Sequence, residues 1–229
     1  MAIKKSSHKN LYIAVFLIVL LVASTAAVIY ATLPRPQVAT VGVKVGDTFT
    51  YSITGTSTLQ SIDATMTPGF EQYNQTDYYK ITITGINHDV VSFDTVWRFL
   101  NGTEVNGQQT LNLTDGSESV SNGFWAIYST NLNVGNPIRP NDNRITVNQT
   151  DTKTYADSSR PRDFWSIENQ FFDVNDPTHN TLRDDYTGVW FDKQTGMLET
   201  LNSITYYNNP LKTEAITWKL VASNVWTIQ

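Results

Sequence analysis

Polar and apolar residues alternate along most of the chain after residue 47. Thr48-Phe49-Thr50-Tyr51-Ser52-Ile53-Thr54 places Phe49, Tyr51 and Ile53 on one face, the period-two signature of a half-buried strand. Tyr78 to Thr84 alternates in the same way, Gly85-Ile86-Asn87-His88-Asp89 reads as a turn, and Val90 to Leu100 returns, so the two segments form a β-hairpin. Asn101-Gly102 marks the next turn. Further strands are predicted at Gln109–Leu113, Ile145–Val147, Thr152–Tyr155, Tyr186–Phe191, Met197–Tyr207 and Glu214–Val221. Arg162 to Phe172 fits two patterns: Trp165, Ile167, Asn169 and Phe171 alternate, while Phe164, Ile167 and Phe171 have helical spacing. Residues 55–76 read as a long loop or a weak strand. One short helix is expected at Phe124–Leu132, where Trp125, Tyr128 and Leu132 stand at i, i+3 and i+7.

Nine or ten strands joined by Gly, Asn and Asp turns define a mainly β fold. The expected architecture is an antiparallel curved sheet or half-barrel, a barrel, or a β-sandwich, with one short helix.

The first forty residues break this pattern. Leu11 to Leu33 carry no charge over 23 positions, about 34 Å as a helix, enough to cross a bilayer. Lys4, Lys5 and Lys9 precede the run and direct the N-terminus to the cytoplasm. The expected organisation is a cytoplasmic tail at 1–10, a transmembrane helix at 11–33, a linker at 34–40 stiffened by Pro34 and Pro36, and an extracytoplasmic β domain at 41–229. Cleavage of the segment as a signal peptide, at Ser24-Thr25-Ala26 or Ile29-Tyr30-Ala31, is the alternative, and the domain is then secreted.

Charge and composition narrow the partners. The sixteen Lys and Arg include the three ahead of the apolar run, which leaves thirteen against twenty-one Asp and Glu, a net charge of −8 for the rest. Such a domain repels phosphate backbones, so no nucleic acid is expected. Cysteine is absent, which excludes disulfides, thiol nucleophiles, Cys-ligated zinc and a lipid-modified N-terminal cysteine.

Four segments carry a resemblance. Val45-Gly46-Asp47-Thr48-Phe49-Thr50-Tyr51, Asn131-Leu132-Asn133-Val134-Gly135-Asn136, Asp192-Lys193-Gln194-Thr195-Gly196-Met197-Leu198 and Leu220-Val221-Ala222-Ser223-Asn224 resemble turn motifs of a group of uncharacterised archaeal secreted or membrane-anchored surface proteins. Asn136 stands where the group usually has Asp. The group brings no established activity with it. The Asp192–Leu198 hairpin is also similar to one in bacterial lipoprotein-carrier half-barrels, whose curved sheets hold lipid on a concave face; that likeness bears on fold.

Candidate chemistry is sparse. His88 falls in a predicted hairpin turn and His179 in a loop after Pro177, and no G-x-S-x-G or H-E-x-x-H is present. Asp173, Asn175 and Asp176, with Asp184 and Asp185 nearby, are the candidate calcium ligands, without the full loop pattern. Sequons at Asn74, Asn101, Asn112 and Asn148 are candidate glycan acceptors. Trp97, Trp190 and Trp218 read as core, while Trp125 and Trp165 are the candidate ligand-binding residues. The expectation is a non-enzymatic cell-surface domain without a cofactor, structural or interacting with a surface protein, glycan or lipid. Its alternative is a carrier or sensor that binds an apolar ligand or lipid on a concave sheet.

Overall fold

The computed structural model describes residues 38–121, 123–172 and 182–228, with backbone alone at 143, 168–172 and 182–187. The expected transmembrane segment and linker through Gln37, the candidate calcium ligands Asp173, Asn175 and Asp176, and His179 lie outside these residues. Among the described residues no helix is long and apolar enough to cross a membrane.

The chain is mainly β. Its strands are β1 (Thr48–Leu59), β2 (Thr76–Asn87), β3 (Val90–Phe99), β4 (Glu104–Asn112), β5 (Pro137–Arg139), β6 (Asp142–Thr146), β7 (Gln149–Thr154), β8 (Ser159–Phe172), β9 (Leu182–Asp192), β10 (Leu198–Asn208) and β11 (Leu211–Ser223). Nine of them form one antiparallel sheet in the order β4-β3-β2-β1-β11-β10-β9-β8-β7, and β5 and β6 form a separate hairpin. Arg162 to Phe172 is therefore a strand, paired along its length with β9.

The predicted alternation holds where it was strongest. Phe49, Tyr51 and Ile53 on β1, Tyr79, Ile81 and Ile83 on β2, and Val91 and Phe93 on β3 are all buried. Residues opposite one another in an antiparallel pair share a face. Two rows of side chains therefore run across the sheet. One is Val105, Trp97, Tyr79, Tyr51 and Leu220, and the other is Ile53, Trp218, Leu201, Val189 and Trp165.

The strand order forces a crossing. The chain steps outward from β1 to the β4 edge, and must next start β7 at the opposite edge. Eight inter-strand gaps of about 4.8 Å make that a journey of about 38 Å. Residues 113–121 and 123–148 make it over the buried face, and so become the cover of the core.

The helix expected at Phe124–Leu132 does not form, and the segment is irregular and extended, joined to the sheet by a single bridge between Ile127 and Met197. Phe124 and every residue from Ala126 to Thr130 are buried. The i, i+3, i+7 spacing reflected burial on all sides rather than one helical face. A 3-10 turn at Phe70–Gln75 is present instead, in the stretch read as a long loop or a weak strand, of which residues 55–59 continue β1.

A buried extended segment must find partners for its peptide groups. Tyr128 N donates to Gly196 O at 2.9 Å, Thr130 N to Thr40 O at 3.0 Å, Asn131 N to Lys193 O at 3.0 Å, and Leu198 N to Ala126 O at 3.2 Å. Phe124 N donates to Gln109 Oε1 at 2.8 Å. The carbonyls of Trp125 and Ile127 each accept from the Arg139 guanidinium at 2.6 Å. Arg139 is only 7% exposed, and its guanidinium lies 4.9 Å above the Tyr128 ring.

Arg139→Met removes the donors to two buried carbonyls, and should lower the unfolding free energy by about 2–4 kcal/mol in urea denaturation. Arg144→Met, at a side chain 86% exposed, should change it by less than about 0.5 kcal/mol. Equal effects of the two substitutions would remove Arg139 from its role.

Candidate functional site

The cover does not fill all the space above the sheet. A cavity of about 520 Å³ lies between them, walled by Ile53, Tyr79, Thr95, Trp97, Val105, Gln109, Leu198, Leu201, Ser203, Ile216 and Trp218 from six strands, by Tyr73 from the 3-10 turn, and by Val120 and Gly123–Ala126 from the cover. Its volume falls in the usual range for small-molecule sites.

The aromatic walls are braced by one another. Tyr79 meets Trp218 edge-on at 5.0 Å and Trp97 at 6.2 Å, while Tyr73 stacks on Trp97 at 6.3 Å. Trp97 Nε1 donates to Thr76 Oγ1 at 2.8 Å, which fixes the indole plane. Phe124 closes the inner end, with its ring 5.6 Å from Tyr51 and 5.9 Å from Trp218. Burial raises the Tyr73 and Tyr79 hydroxyls above their ordinary value, so both stay neutral near pH 7.

A smaller recess of about 290 Å³ adjoins the cavity, sharing Tyr73, Ser203 and Ile216 with it, and is bounded by Thr67–Phe70, Thr205, Tyr207 and Glu214. Beside it, Lys212 Nζ donates to Thr65 O at 3.0 Å, to Thr67 Oγ1 at 2.7 Å and to Glu214 Oε1 at 3.1 Å. Glu214 also accepts from Thr67 N and Thr67 Oγ1, at 2.8 and 2.7 Å. The network clamps the loop after β1 onto β11.

A second set of buried charges lies where β8, β9 and β10 meet. Asp163, Asp192 and Glu199 are each at most 1% exposed. Asp192 accepts from Arg160, Gln194 N, Thr195 N and Thr195 Oγ1. Glu199 accepts from Tyr155 OH at 2.6 Å and lies 3.6 Å from both Lys153 and Arg162. Burial pushes the Asp163 carboxyl up, against a hydrogen bond from Thr150 and the charge of Lys193. None of the three carboxylates lines the cavity.

The residues singled out in the sequence are spread over the molecule. Trp125 is on the cavity wall. Trp165 is 4% exposed and sits behind it, 6.0 Å ring to ring. Trp97 and Trp218, expected in the core, are half-buried and line the cavity. Trp190 is half-buried too, packing on Phe164 at 4.7 Å under the Arg162 guanidinium. His88 occupies a turn with φ 56°. Among the described residues no three His, Cys, Asp or Glu side chains gather as a metal site, and Asp184 and Asp185 lie in β9.

Of the sequons, Asn101 stands exposed in the β3–β4 turn, its Oδ1 accepting from Thr103 N. Asn112 makes the same contact with Thr114 N, and Asn148 accepts from Ser166 N. Asn74 is held through both ends of its amide by the Gly55 backbone.

Tyr73, Tyr79 and Gln109 were not singled out beforehand. Alternation marks an inward-facing side chain, but it does not say whether the space in front of that side chain is filled.

Glu214 offers a test of the clamp beside the recess. Burial alone would raise its carboxyl, but hydrogen bonds from Thr67 and Lys212 hold it below the ordinary value of 4.5. A carboxyl lowered by folding adds stability that is complete above pH 4.5 and is lost as pH falls through the folded value. Glu214→Gln should therefore lose stability less steeply than wild type on acidification below pH 4.5, read from urea midpoints against pH. An unchanged acid slope would show that Glu214 does not contribute it.

Comparison of the chain with family models, with curated proteins and with solved structures finds no match.

Proposed function

We propose that the β domain is a carrier or sensor that holds an apolar ligand between a curved, half-barrel sheet and its cover. On this reading the domain is non-enzymatic and is held outside the cell membrane by the apolar segment at 11–33. The observation that carries the proposal is the cavity itself: about 520 Å³ walled mainly by aromatic and aliphatic side chains. The hollow is partly open to solvent, and its walls are mostly apolar side chains held by one another. Braced apolar walls around so large a space favour a ligand site over a purely structural or adhesive domain. Trp125 belongs to the wall, and Trp165 supports it from behind.

Solvent extraction of the purified full chain, followed by mass spectrometry, should release an apolar small molecule in near-stoichiometric amount. Ser203→Phe, placed where the cavity and the recess join, should reduce its yield at least about tenfold with the unfolding midpoint preserved. Wild-type protein that carries no such molecule, and takes none up from added lipid, sinks the proposal.

The same reading makes the domain a glycoprotein wherever glycosylation machinery meets it. Asn101, exposed in a turn, is then the best acceptor, and Asn74, whose amide is already bonded to Gly55, the poorest. Glycopeptide mass spectrometry after expression in a glycosylating host should find Asn101 occupied well ahead of Asn74. The reverse order would overturn this ranking.

A further inference from the structure

We propose that the ligand is electrically neutral: a lipid-like molecule whose polar part is a hydroxyl or carbonyl group, not a carboxylate or an ammonium. The inference rests on the carrier reading above and narrows it to one class of amphiphile.

Among the described residues, no Asp, Glu, Lys, Arg or His lines the main cavity. Its polar groups are uncharged hydroxyls and amides, including Thr95, Asn106, Gln109 and Ser203. These can exchange hydrogen bonds with a hydroxyl or carbonyl, but they cannot neutralise an ion. The hollow is partly open, so an ionised group escapes the penalty only at its mouth; drawn in among the apolar walls without a partner it costs several kcal/mol.

The adjoining recess supplies no counter-ion either. The three protons of Lys212 Nζ match its three acceptors, Thr65 O, Thr67 Oγ1 and Glu214 Oε1. Both Glu214 oxygens accept in turn from Thr67, and Oε1 from Lys212 as well. A ligand carboxylate would have to take Lys212 from Glu214, and a ligand ammonium would have to take Glu214 from Lys212. Either exchange leaves a buried charge without its partner, a strongly destabilising change. A neutral group asks for neither. The two hollows share Tyr73, Ser203 and Ile216, so an apolar body in the larger can continue to a hydroxyl or carbonyl beside Ser203 and Thr205.

The test uses the full chain in lipid nanodiscs and three photoactivatable probes with the same hexadecyl chain and diazirine. One ends in a hydroxyl, one in a carboxylate kept ionised at pH 8, and one in a trimethylammonium. After irradiation, peptides from the cavity walls, those containing Trp97, Trp125 and Trp218, are scored for label by mass spectrometry. The alcohol should label them at least about tenfold more than either charged probe, and Ser203→Phe should abolish that labelling. Equal or stronger labelling of the same peptides by the carboxylate or the ammonium overturns the neutrality inference and leaves the carrier reading standing. No labelling of the cavity peptides by any probe overturns the carrier reading, and the inference with it.

Discussion

The fold turns on how residues 113–121 and 123–148 cross the buried face of the sheet. Strand order obliges them to do so, because β4 and β7 are its opposite edges. The middle of the crossing runs extended and buried, joined to Met197, just before β10, by a single bridge, so most of its peptide groups have neither water nor a regular ladder. Arg139 answers the problem for two carbonyls at once, donating to Trp125 and Ile127 from a nearly closed site. Burial draws its guanidinium below the ordinary value, yet arginine stays charged at any physiological pH. A buried cation held by backbone carbonyls ties two runs of the cover to each other, and the bonds from Tyr128 N to Gly196 O and from Leu198 N to Ala126 O then hold that cover to the sheet.

The turn after β9 holds the other side of the same segment. Asp192 is fully buried and caps the turn through Gln194 and Thr195, while Arg160 meets its charge. Gly196 has φ 75°, and a Cβ there would collide with the Tyr128 carbonyl oxygen. Only glycine allows that approach, and so the bond from Tyr128 N to Gly196 O. The other resembling motifs work in the same manner. Asn131 reaches Lys193, and Asn224 bonds to Gly46 and Thr48 where β1 begins. The motifs therefore encode joints between distant parts of the chain and say little about chemistry. A likeness built from them carries fold information first.

The cavity is the place where sheet and cover part. Towards β8 and β9 the cover presses close: Tyr128 packs on Phe191 at 4.5 Å, and Trp125 lies on Trp165. Towards Ile53, Trp97 and Ile216 the described part of the cover stands off, and Val120 and Gly123–Ala126 bound the hollow there. The side chains there, Tyr73, Trp97 and Trp218, stay half-buried and pack on their neighbours at the rim. The buried charges Lys212 and Glu214 face one another beside the recess, and those at Asp192 and Glu199 meet arginine and lysine where β8, β9 and β10 come together. The hollow is left apolar and, among its described walls, uncharged.

The amino-acid sequence by itself determined most strands of the sheet and many of the side chains that face its core, while Arg162–Phe172 fitted a helix equally well. Period-two alternation is a local property of the backbone, visible within six or seven residues, as in Phe49, Tyr51 and Ile53. It also showed the turns, because Asp192 and Gly196 act within their own hairpin. Several things were not legible. Trp125, Tyr128 and Leu132 mimicked a helix because a segment buried on all sides has no polar face to betray its period. Trp97 and Trp218 carried the same signal as true core residues, since facing inward and lining a hollow differ only in what stands opposite. That was decided by the tertiary structure, through contacts between residues far apart in sequence. Gly196 meeting Tyr128 and Trp165 lying under Trp125 set where the cover touches the sheet, and Tyr73 beside Trp97 walls the part it leaves open.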